Sequence, residues 1–444
     1  MMSRLKEYPY ISKFLLLLFA GYVLIWYLQI GQRIKFLGAI RIEFLYAVFL
    51  ALMAFTVREK KFSSPISKYV VAYLIALIIQ IPFSYDPSTS FLVFYNRIIK
   101  FSFIAFFITV FVKSPTGLRY FLTAFLLACM KIGQEGLIGK ITGSMVWENQ
   151  GVMRLHGTTS LYDHPNSLSG NAIGTLPFLL FLFPIVPLLV QLALAMQAIF
   201  AANIILFTAS RTGYVAILVF LLFVIKKKKS NPKVLFALVV FVLIGIQFIP
   251  VQYIERFQSI FSGQEAEGHS SEKRMQIIKD AVNIFITHPL GVGVGAFPKI
   301  RRDTFGRSQD THNLYLEVAT NLGIQGFMIF FFLVYKMLKT LQSLGKDFSR
   351  QIETLKGSNE TGELRSHVKD LNLMKATSEA VYVFIILRLA LGLFGMDLYE
   401  VYWWFAIGLT IALYNMNKIS NEKTMVLKDM NLVDAAPEIR VSNA

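Results

Sequence analysis

The segment DTHNLYLEVATNLGIQG, residues 310–326, places a histidine at the edge of a long apolar stretch. His312 directly precedes Asn313 and lies five residues before Glu317. A neutral imidazole with a pKa of about 6.5 can accept a proton from a hydroxyl group, which makes His312 a candidate general base. Asn313 and Glu317 are candidate supporting residues. A lone histidine here could also simply cap the following helix, so the catalytic hypothesis depends on its neighbours.

Three arginines near other segment ends could accompany this base. Arg211 lies in TASRTGYVAIL, between apolar runs too close together to leave a loop. Its planar guanidinium suits phosphate oxygens, although a side chain that snorkels to the membrane interface is the alternative. Arg154, in MRLHGTTSLYDHPNSLSGN, would be costly near lipid without an anionic partner. Lys273 and Arg274 occupy a helical first turn, where the helix dipole disfavours cations unless an anion is nearby.

His164 and Asn166 are further candidates for support, and Asn166 can also cap the helix that follows it. One imidazole and several guanidinium groups on one face would suit a reaction with a diphosphate leaving group. Cations offset the negative charge that develops as the bond to such a group breaks. The later GVGVG lacks the preceding strand, third spaced glycine and ribose acid of a nucleotide site, so we interpret it as flexible or tightly turned backbone.

The composition indicates a membrane protein. Of 444 residues, 55% are hydrophobic and 14% aromatic, which is too apolar for a soluble chain of this length. The formal charge of +17 is divided among short patches between apolar runs, a pattern that predicts topology signals and no nucleic-acid surface. The single Cys129 excludes a disulfide framework and a cysteine metal site. We expect the first apolar segment to be a retained helix.

Apolar runs of spanning or near-spanning length predict an all-α, polytopic membrane protein of about 12 transmembrane helices with a partly helical extracytoplasmic loop region. The runs are 13–30, 42–57, 69–83, 98–112, 118–131, 172–186, 188–208, 212–225, 234–250, 313–336, 377–395 and 400–416. The amphipathic segment that begins at Ser270, with Ser271 as its cap, is expected to lie along the membrane surface.

Positive charge in short connections predicts the orientation. REKKFSSPISK, KSPTGLR, KKKKSNPK and the basic segment 336–375 fall on one side, which would be the cytoplasm and would hold both termini; GQRIKFLGAIR disagrees. The predicted organisation is helices 1–5 in 1–131, an outward loop at 132–171, helices 6–9 in 172–250, a large extracytoplasmic loop at 251–312, helices 10–12 in 313–416 with a cytoplasmic loop at 337–376, and a cytoplasmic tail at 417–444.

Four motifs in order resemble the bacterial O-antigen ligase and polysaccharide polymerase superfamily. They are RLHGTTSLYDHPN, SRTG at 210–213, EKRMQIIKDAVNIFITHPLGVGVGAF and DTHNLYLEVATNLGIQG, and the resemblance covers roughly 150–336. It implies a GT-C-like integral-membrane glycosyltransferase of the bacterial inner membrane with an active site facing the periplasm or cell exterior. It also implies a polyprenyl (undecaprenyl) diphosphate-linked glycan donor, a glycan or glycolipid acceptor such as lipid A core, and no cofactor, nucleotide sugar or metal.

The resemblance also implies roles for individual residues. His312 would activate the acceptor hydroxyl, and Arg211 and Arg274 would hold the diphosphate, with Arg154 as a weaker correspondence. Direct attack on the anomeric carbon would invert its configuration. Arg388, deep in the eleventh run, lies outside the motifs. It is predicted to pair with Asp397 or Glu400 or to supply another phosphate contact.

Three functional hypotheses follow. A ligase would move a preassembled glycan to a terminal acceptor such as lipid A core. A polymerase of the same superfamily would use another lipid-linked repeat unit as its acceptor, and the motifs do not separate the two. A transporter of lipid-linked oligosaccharides is the third possibility, but it predicts polar groups on both membrane faces, whereas here they gather on the outward side.

Overall fold

The computed structural model describes residues 7–57, 62–149, 152–228, 270–356, 362–395 and 398–434, and 79% of these residues are helical. In the N-terminal half the helices are α1 Lys13–Leu28, α2 Ile30–Arg33, α3 Lys35–Ala39, α4 Ile42–Thr56, α5 Ser67–Gln80, α6 Pro87–Val93, α7 Lys100–Phe111, α8 Pro115–Thr142, α9 Pro165–Leu182, α10 Leu188–Phe207 and α11 Arg211–Lys228. A π-helical segment, Phe94–Ile99, joins α6 to α7, and a 3₁₀ turn, Phe183–Ile185, follows α9.

The C-terminal half contains α12 Ser270–Thr287, α13 Phe297–Phe305, α14 Leu314–Thr354, α15 Gly362–Leu391 and α16 Val401–Asp434. Two short antiparallel strands, β1 Val146–Asn149 and β2 Val152–Leu155, form a hairpin in which Trp147 faces Arg154.

The helices have the length and surface of membrane spans. In the described part of the chain, five segments are long and apolar enough to cross a bilayer: Pro87–Phe111, Pro115–Thr142, Pro165–Ile185, Leu188–Phe207 and Leu314–Thr354, with shorter apolar helices at α1, α4 and α5. On α10, Leu188, Leu189 and Ile199 remain at least 60% exposed, which suits contact with lipid. The predicted all-α polytopic membrane fold is confirmed. The predicted run at 234–250 lies outside the described residues.

Three segments that we expected to be loops or tail are more helical than their polar composition indicated. Within 132–171, α8 continues to Thr142 before the β-hairpin, and α16 extends the expected tail to Asp434. The expected loop at 337–376 is mostly a helical hairpin of α14 and α15. The hairpin forms because α14 has an apolar stripe with alternating spacings of four and three residues, which allows it to pack along α15. The buried positions of this stripe on α14 are Met337, Leu341, Leu344 and Phe348.

Aromatic side chains fill the centre of the helix bundle. The ring of Phe405, on α16, lies with its centroid 4.9 Å from Phe125, 5.4 Å from Phe384 and 5.8 Å from Phe178. These rings come from α8, α15 and α9, so one side chain joins four helices. Such contacts add attraction to the burial of apolar area and fix the relative rotation of the helices.

A backbone break within α14 shapes the end of the helix bundle that carries His312. Gly323 has φ 67° and ψ −173°, so the helix is interrupted one residue after Leu322. The segment 289–295 fills the break: the N–H of Val292 donates to the carbonyl of Thr320, and the N–H of Ile324 donates to the carbonyl of Pro289, each at 2.9 Å. GVGVG is therefore tightly turned and hydrogen-bonded backbone, which agrees with one of our two interpretations.

The amphipathic helix α12 forms as predicted, although the side chain of its expected cap Ser271 lies outside the described residues. One face buries Ala281 and Ile284 in a small apolar cluster with α13, and Ile277 on the same helix is also buried. Another face leaves apolar side chains exposed, including Ile286 at 70%. The expected position of this helix along the membrane surface stays a prediction.

We predict that Gly291→Ala destabilises the protein more than Gly306→Ala does. Both glycines have positive φ, 92° and 71°, so each substitution strains the backbone by about 1–2 kcal/mol. A Cβ at Gly291 would also lie 2.6 Å from the backbone nitrogen of Gly323, whereas one at Gly306 would meet nothing within 4 Å. Thermal unfolding in detergent measures the difference. Equal melting temperatures for the two variants would contradict the proposed packing at the α14 break.

Candidate active site

His312 lies in a strained turn immediately before α14. Its φ of 47° is in the left-handed region, which is uncommon for residues other than glycine and is often found at functional sites. The flanking residues frame the turn, since the hydroxyl of Thr311 donates to the carbonyl of Asn313 at 3.2 Å. The imidazole itself remains exposed, so a substrate can reach it.

Asn313 and Glu317 hold the local structure that carries His312. The Asn313 side chain caps α14 by accepting from the N–H of Leu316 at 3.0 Å, and its amide donates to the carbonyl of Leu393 at 2.9 Å. Glu317 is 3% exposed and accepts from the N–H of Leu398 at 3.2 Å. These contacts join the start of α14 to the segments that follow α15.

A second imidazole stands close to the first. His164 is the N-cap of α9, and its Nδ1 accepts from the N–H of Asn166 at 3.2 Å. Partial loss of hydration lowers the pKa of His164. The positive charges of Arg154 and of a protonated His312 lower it further. Arg154 and His312 thus lie within the range over which their charges act on His164.

Asn166 connects Arg154 to the start of α11. Its side-chain oxygen accepts from Nη2 of Arg154 at 3.1 Å and from the hydroxyl of Ser210 at 2.9 Å. Arg154 is 4% exposed and also donates through Nε to the carbonyl of Thr208 at 2.9 Å. The guanidinium therefore joins the β-hairpin to the end of α10 and helps to hold Asn166 in place.

The SRTG motif builds the first turn of α11 and thereby positions Arg211. The hydroxyl of Ser210 accepts from the N–H of Gly213 at 3.1 Å, as a helix cap does. Gly213 faces Ser169 of α9 so closely that a Cβ would clash with the serine hydroxyl. Arg211 is half-buried at the start of α11, one residue after the hydrogen bond between Ser210 and Asn166.

Arg274, in the first two turns of α12, is half-buried and acts electrostatically on His312. The pKa of the His312 imidazole lies below its usual value, chiefly because the surrounding protein displaces part of its hydration. Asp310 opposes this shift, whereas the positive charges of Arg274 and Arg301 add to it. A lowered pKa keeps the imidazole neutral and able to accept a proton. The side chain of Lys273 lies outside the described residues.

A buried ion pair, which we did not predict, links the helix that carries Arg274 to the segment just before His312. Arg301 is 1% exposed, and its Nε donates to Asp280 of α12 at 2.9 Å. Its Nη1 donates to the carbonyl of Gln309 at 3.1 Å, three residues before His312. Arg307 also contacts Asp280, at 3.3 Å. The sequence displays RR at 301–302, but it gives no sign that one of these arginines faces inward.

Arg388 lies deeper than the other candidates. It is 2% exposed on α15, donates to the carbonyl of Gly170 at 2.8 Å, and stands 3.2 Å from the ring centroid of Tyr402. Glu400, one of its two expected partners, accepts from Arg97 at 2.9 Å instead. The other, Asp397, lies outside the described residues. The observed partners of Arg388 are thus a backbone carbonyl and the aromatic rings of Tyr402 and Phe384.

Four helices present their N-termini to this neighbourhood. His164 caps α9, Ser210 caps α11, His312 precedes the cap of α14, and Arg274 lies near the start of α12. Helix N-termini carry partial positive charge and free N–H groups, which favour anions. Among the described residues no three His, Cys, Asp or Glu side chains cluster as metal ligands do, and the expected metal independence stays a prediction.

Comparison with known proteins agrees with this geometry. A family model described as O-antigen ligase matches residues 196–331, a range that includes Arg211, Arg274 and His312. Arg154, His164 and Asn166 precede the matched range. No curated protein matches the chain significantly. The chain therefore contains a domain at 196–331 that is similar to O-antigen ligases, and this match supports the resemblance of its motifs to the superfamily of O-antigen ligases and polysaccharide polymerases.

Proposed function

We propose that this protein is a ligase-type glycosyltransferase that moves a preassembled glycan from a polyprenyl diphosphate carrier to an acceptor hydroxyl such as one on lipid A core. The observation that carries the proposal is the convergence of two imidazoles and several guanidinium groups at four helix N-termini. This environment favours an anionic headgroup and supplies a neutral base beside it. The site would face the periplasm or cell exterior, with both termini in the cytoplasm.

In the proposed reaction, His312 accepts the proton of the acceptor hydroxyl while the oxygen attacks the anomeric carbon of the donor sugar. The bond between that carbon and the phosphate oxygen breaks, and polyprenyl diphosphate leaves with the bonding electrons. Arg211 and Arg274 offset the negative charge of the leaving group. The attack comes from the face opposite the leaving group and inverts the configuration of the carbon. No metal or other cofactor takes part.

Arg154, His164 and Asn166 act in this proposal as positioning residues. Asn166 receives hydrogen bonds from both Arg154 and Ser210, so it links the β-hairpin to the helix that begins with Arg211. Asn313 and Glu317 have the same kind of role for His312, because they join the start of α14 to residues 393 and 398. Arg388 stabilises the packing of α9 against α15 below the site.

The central test is transfer by the purified protein from an undecaprenyl-diphosphate glycan to lipid A core or to a second carrier-linked glycan. We expect transfer to core, and we expect His312→Ala to reduce kcat by about 10²- to 10⁴-fold, the usual contribution of a positioned base. His288→Ala, which alters another exposed histidine, is the control. Full activity of His312→Ala would refute the assignment of the base, and elongation on the carrier without transfer to core would identify a polymerase.

Arg211→Gln is expected to weaken binding of the lipid-diphosphate donor by roughly ten- to hundredfold. The reason is the loss of a charge-assisted hydrogen bond, which contributes about 1.5–3 kcal/mol. The matched control is Arg302→Gln, since Arg302 is an exposed arginine whose closest acid is its neighbour Asp303, at 3.6 Å. Donor affinity measured by titration distinguishes them. Unchanged affinity in Arg211→Gln would remove Arg211 from the diphosphate site.

The acidic limb of the pH–rate profile should report protonation of the His312 imidazole. Activity requires its neutral form, so kcat/KM falls as the pH drops through its pKa, which lies below the usual value. Arg274→Gln removes a positive charge that disfavours protonation, so the pKa rises and the limb moves to higher pH. The measurement compares the pH at the midpoint of the limb in the two proteins, so a lower absolute rate in the variant does not affect it. A limb that stays in place would show that Arg274 does not act on the titrating group.

A further inference from the structure

A large cavity opens at the other end of the helices that carry the candidate active site. Its volume is about 840 Å³, and it lies between the end of α11, the later part of α14 and the middle of α15, with one wall from α9. Nothing in the proposed transfer reaction uses it. The lining side chains are of two kinds, aromatic or aliphatic groups and charged groups.

The cavity and His312 lie toward opposite ends of the helices that connect them. Lys226 follows Arg211 by fifteen residues of one helix, which corresponds to about 22 Å along its axis. Lys375 precedes Gly392, whose carbonyl accepts from Leu314 beside His312, by seventeen residues, or about 26 Å. These lengths approach the thickness of the hydrocarbon core, about 30 Å.

The lining is amphipathic in the manner of a lipid. Apolar side chains from four helices form one part of it: Phe181, Phe223, Leu341, Tyr382 and Ile386. Five basic and two acidic side chains form the other: Lys226, Lys227, Lys346, Arg350, Lys375, Glu353 and Glu379. The excess of positive charge beside an apolar wall complements an anionic headgroup attached to acyl chains.

Part of this positive charge has no acidic partner in the described part of the chain. Lys227 pairs with Glu379 at 3.0 Å, and Arg350 pairs with Asp347 at 3.4 Å. Lys226, Lys346 and Lys375 form no ion pair there, although they come from three different helices and line one volume. Lysines that served only as topology signals would not need to share a cavity.

We propose that this cavity binds the phosphate-bearing headgroup of an anionic membrane phospholipid, with Lys226, Lys346 and Lys375 as its principal contacts. The acyl chains would pass along Phe181 and Phe223 toward the bilayer. Because three lysines are available, a headgroup with two phosphates, as in cardiolipin, is expected to bind more tightly than one with a single phosphate. The bound lipid would hold α11 against the hairpin of α14 and α15. This binding is independent of the transfer reaction.

The test uses the full-length protein in detergent and compares two double variants with the same change of charge. Lys346→Gln/Lys375→Gln alters the cavity, whereas Lys339→Gln/Lys369→Gln alters lysines of the same two helices that do not line it. Cardiolipin and phosphatidylethanolamine are titrated and counted by native mass spectrometry. We expect preference for cardiolipin, an affinity roughly tenfold lower in the cavity variant, and no change in the control variant.

A charge-preserving variant, Lys346→Arg/Lys375→Arg, should bind cardiolipin as the unaltered protein does, which separates loss of charge from loss of structure. Equal affinity in the two glutamine variants would overturn the proposal. It would also be overturned if cardiolipin and phosphatidylethanolamine bound equally well. If millimolar inorganic phosphate displaced the lipid completely, the cavity would be a site for soluble phosphate and not for a phospholipid.

Discussion

The arrangement of the candidate active site depends on the buried ion pair between Asp280 and Arg301. Asp280 belongs to the helix that carries Arg274, and Arg301 holds the carbonyl of Gln309 just before His312. Loss of Asp280 would leave the buried charge of Arg301 without its counterion, a change that typically costs about 3–5 kcal/mol. The pair therefore fixes two separate segments relative to each other, and with them the electrostatic environment that keeps His312 neutral.

The backbone supports this arrangement in a different way. The break at Gly323 ends the outer part of α14 after fewer than three turns, and residues 289–295 occupy the space that a continuous helix would have closed. Backbone groups of the two segments hydrogen-bond to one another, so these groups remain paired although the helix is interrupted. As a result, the turn containing His312 is held between α12 and the end of α15.

Positive charge has distinct consequences at the two ends of the bundle. At the outer end, arginines stand beside helix N-termini, where backbone N–H groups reinforce their attraction for an anion. At the opposite end, lysines line an amphipathic cavity between long helices. Planar guanidinium groups suit the fixed geometry of a reacting diphosphate, whereas flexible lysines suit a mobile headgroup. Our two binding proposals follow from this difference.

The membrane class, the helical period and the motif residues were evident in the sequence, because apolar run length and local spacing directly encode them. Apart from 234–250, which lies outside the described residues, every predicted run coincides with a helix. The helical hairpin at 337–376 was missed because its apolar stripe is narrow and its composition polar. The Asp280–Arg301 pair and the surroundings of Arg388 required the tertiary structure. Such contacts join residues that are distant in the chain, and only packing determines which charged side chains turn inward.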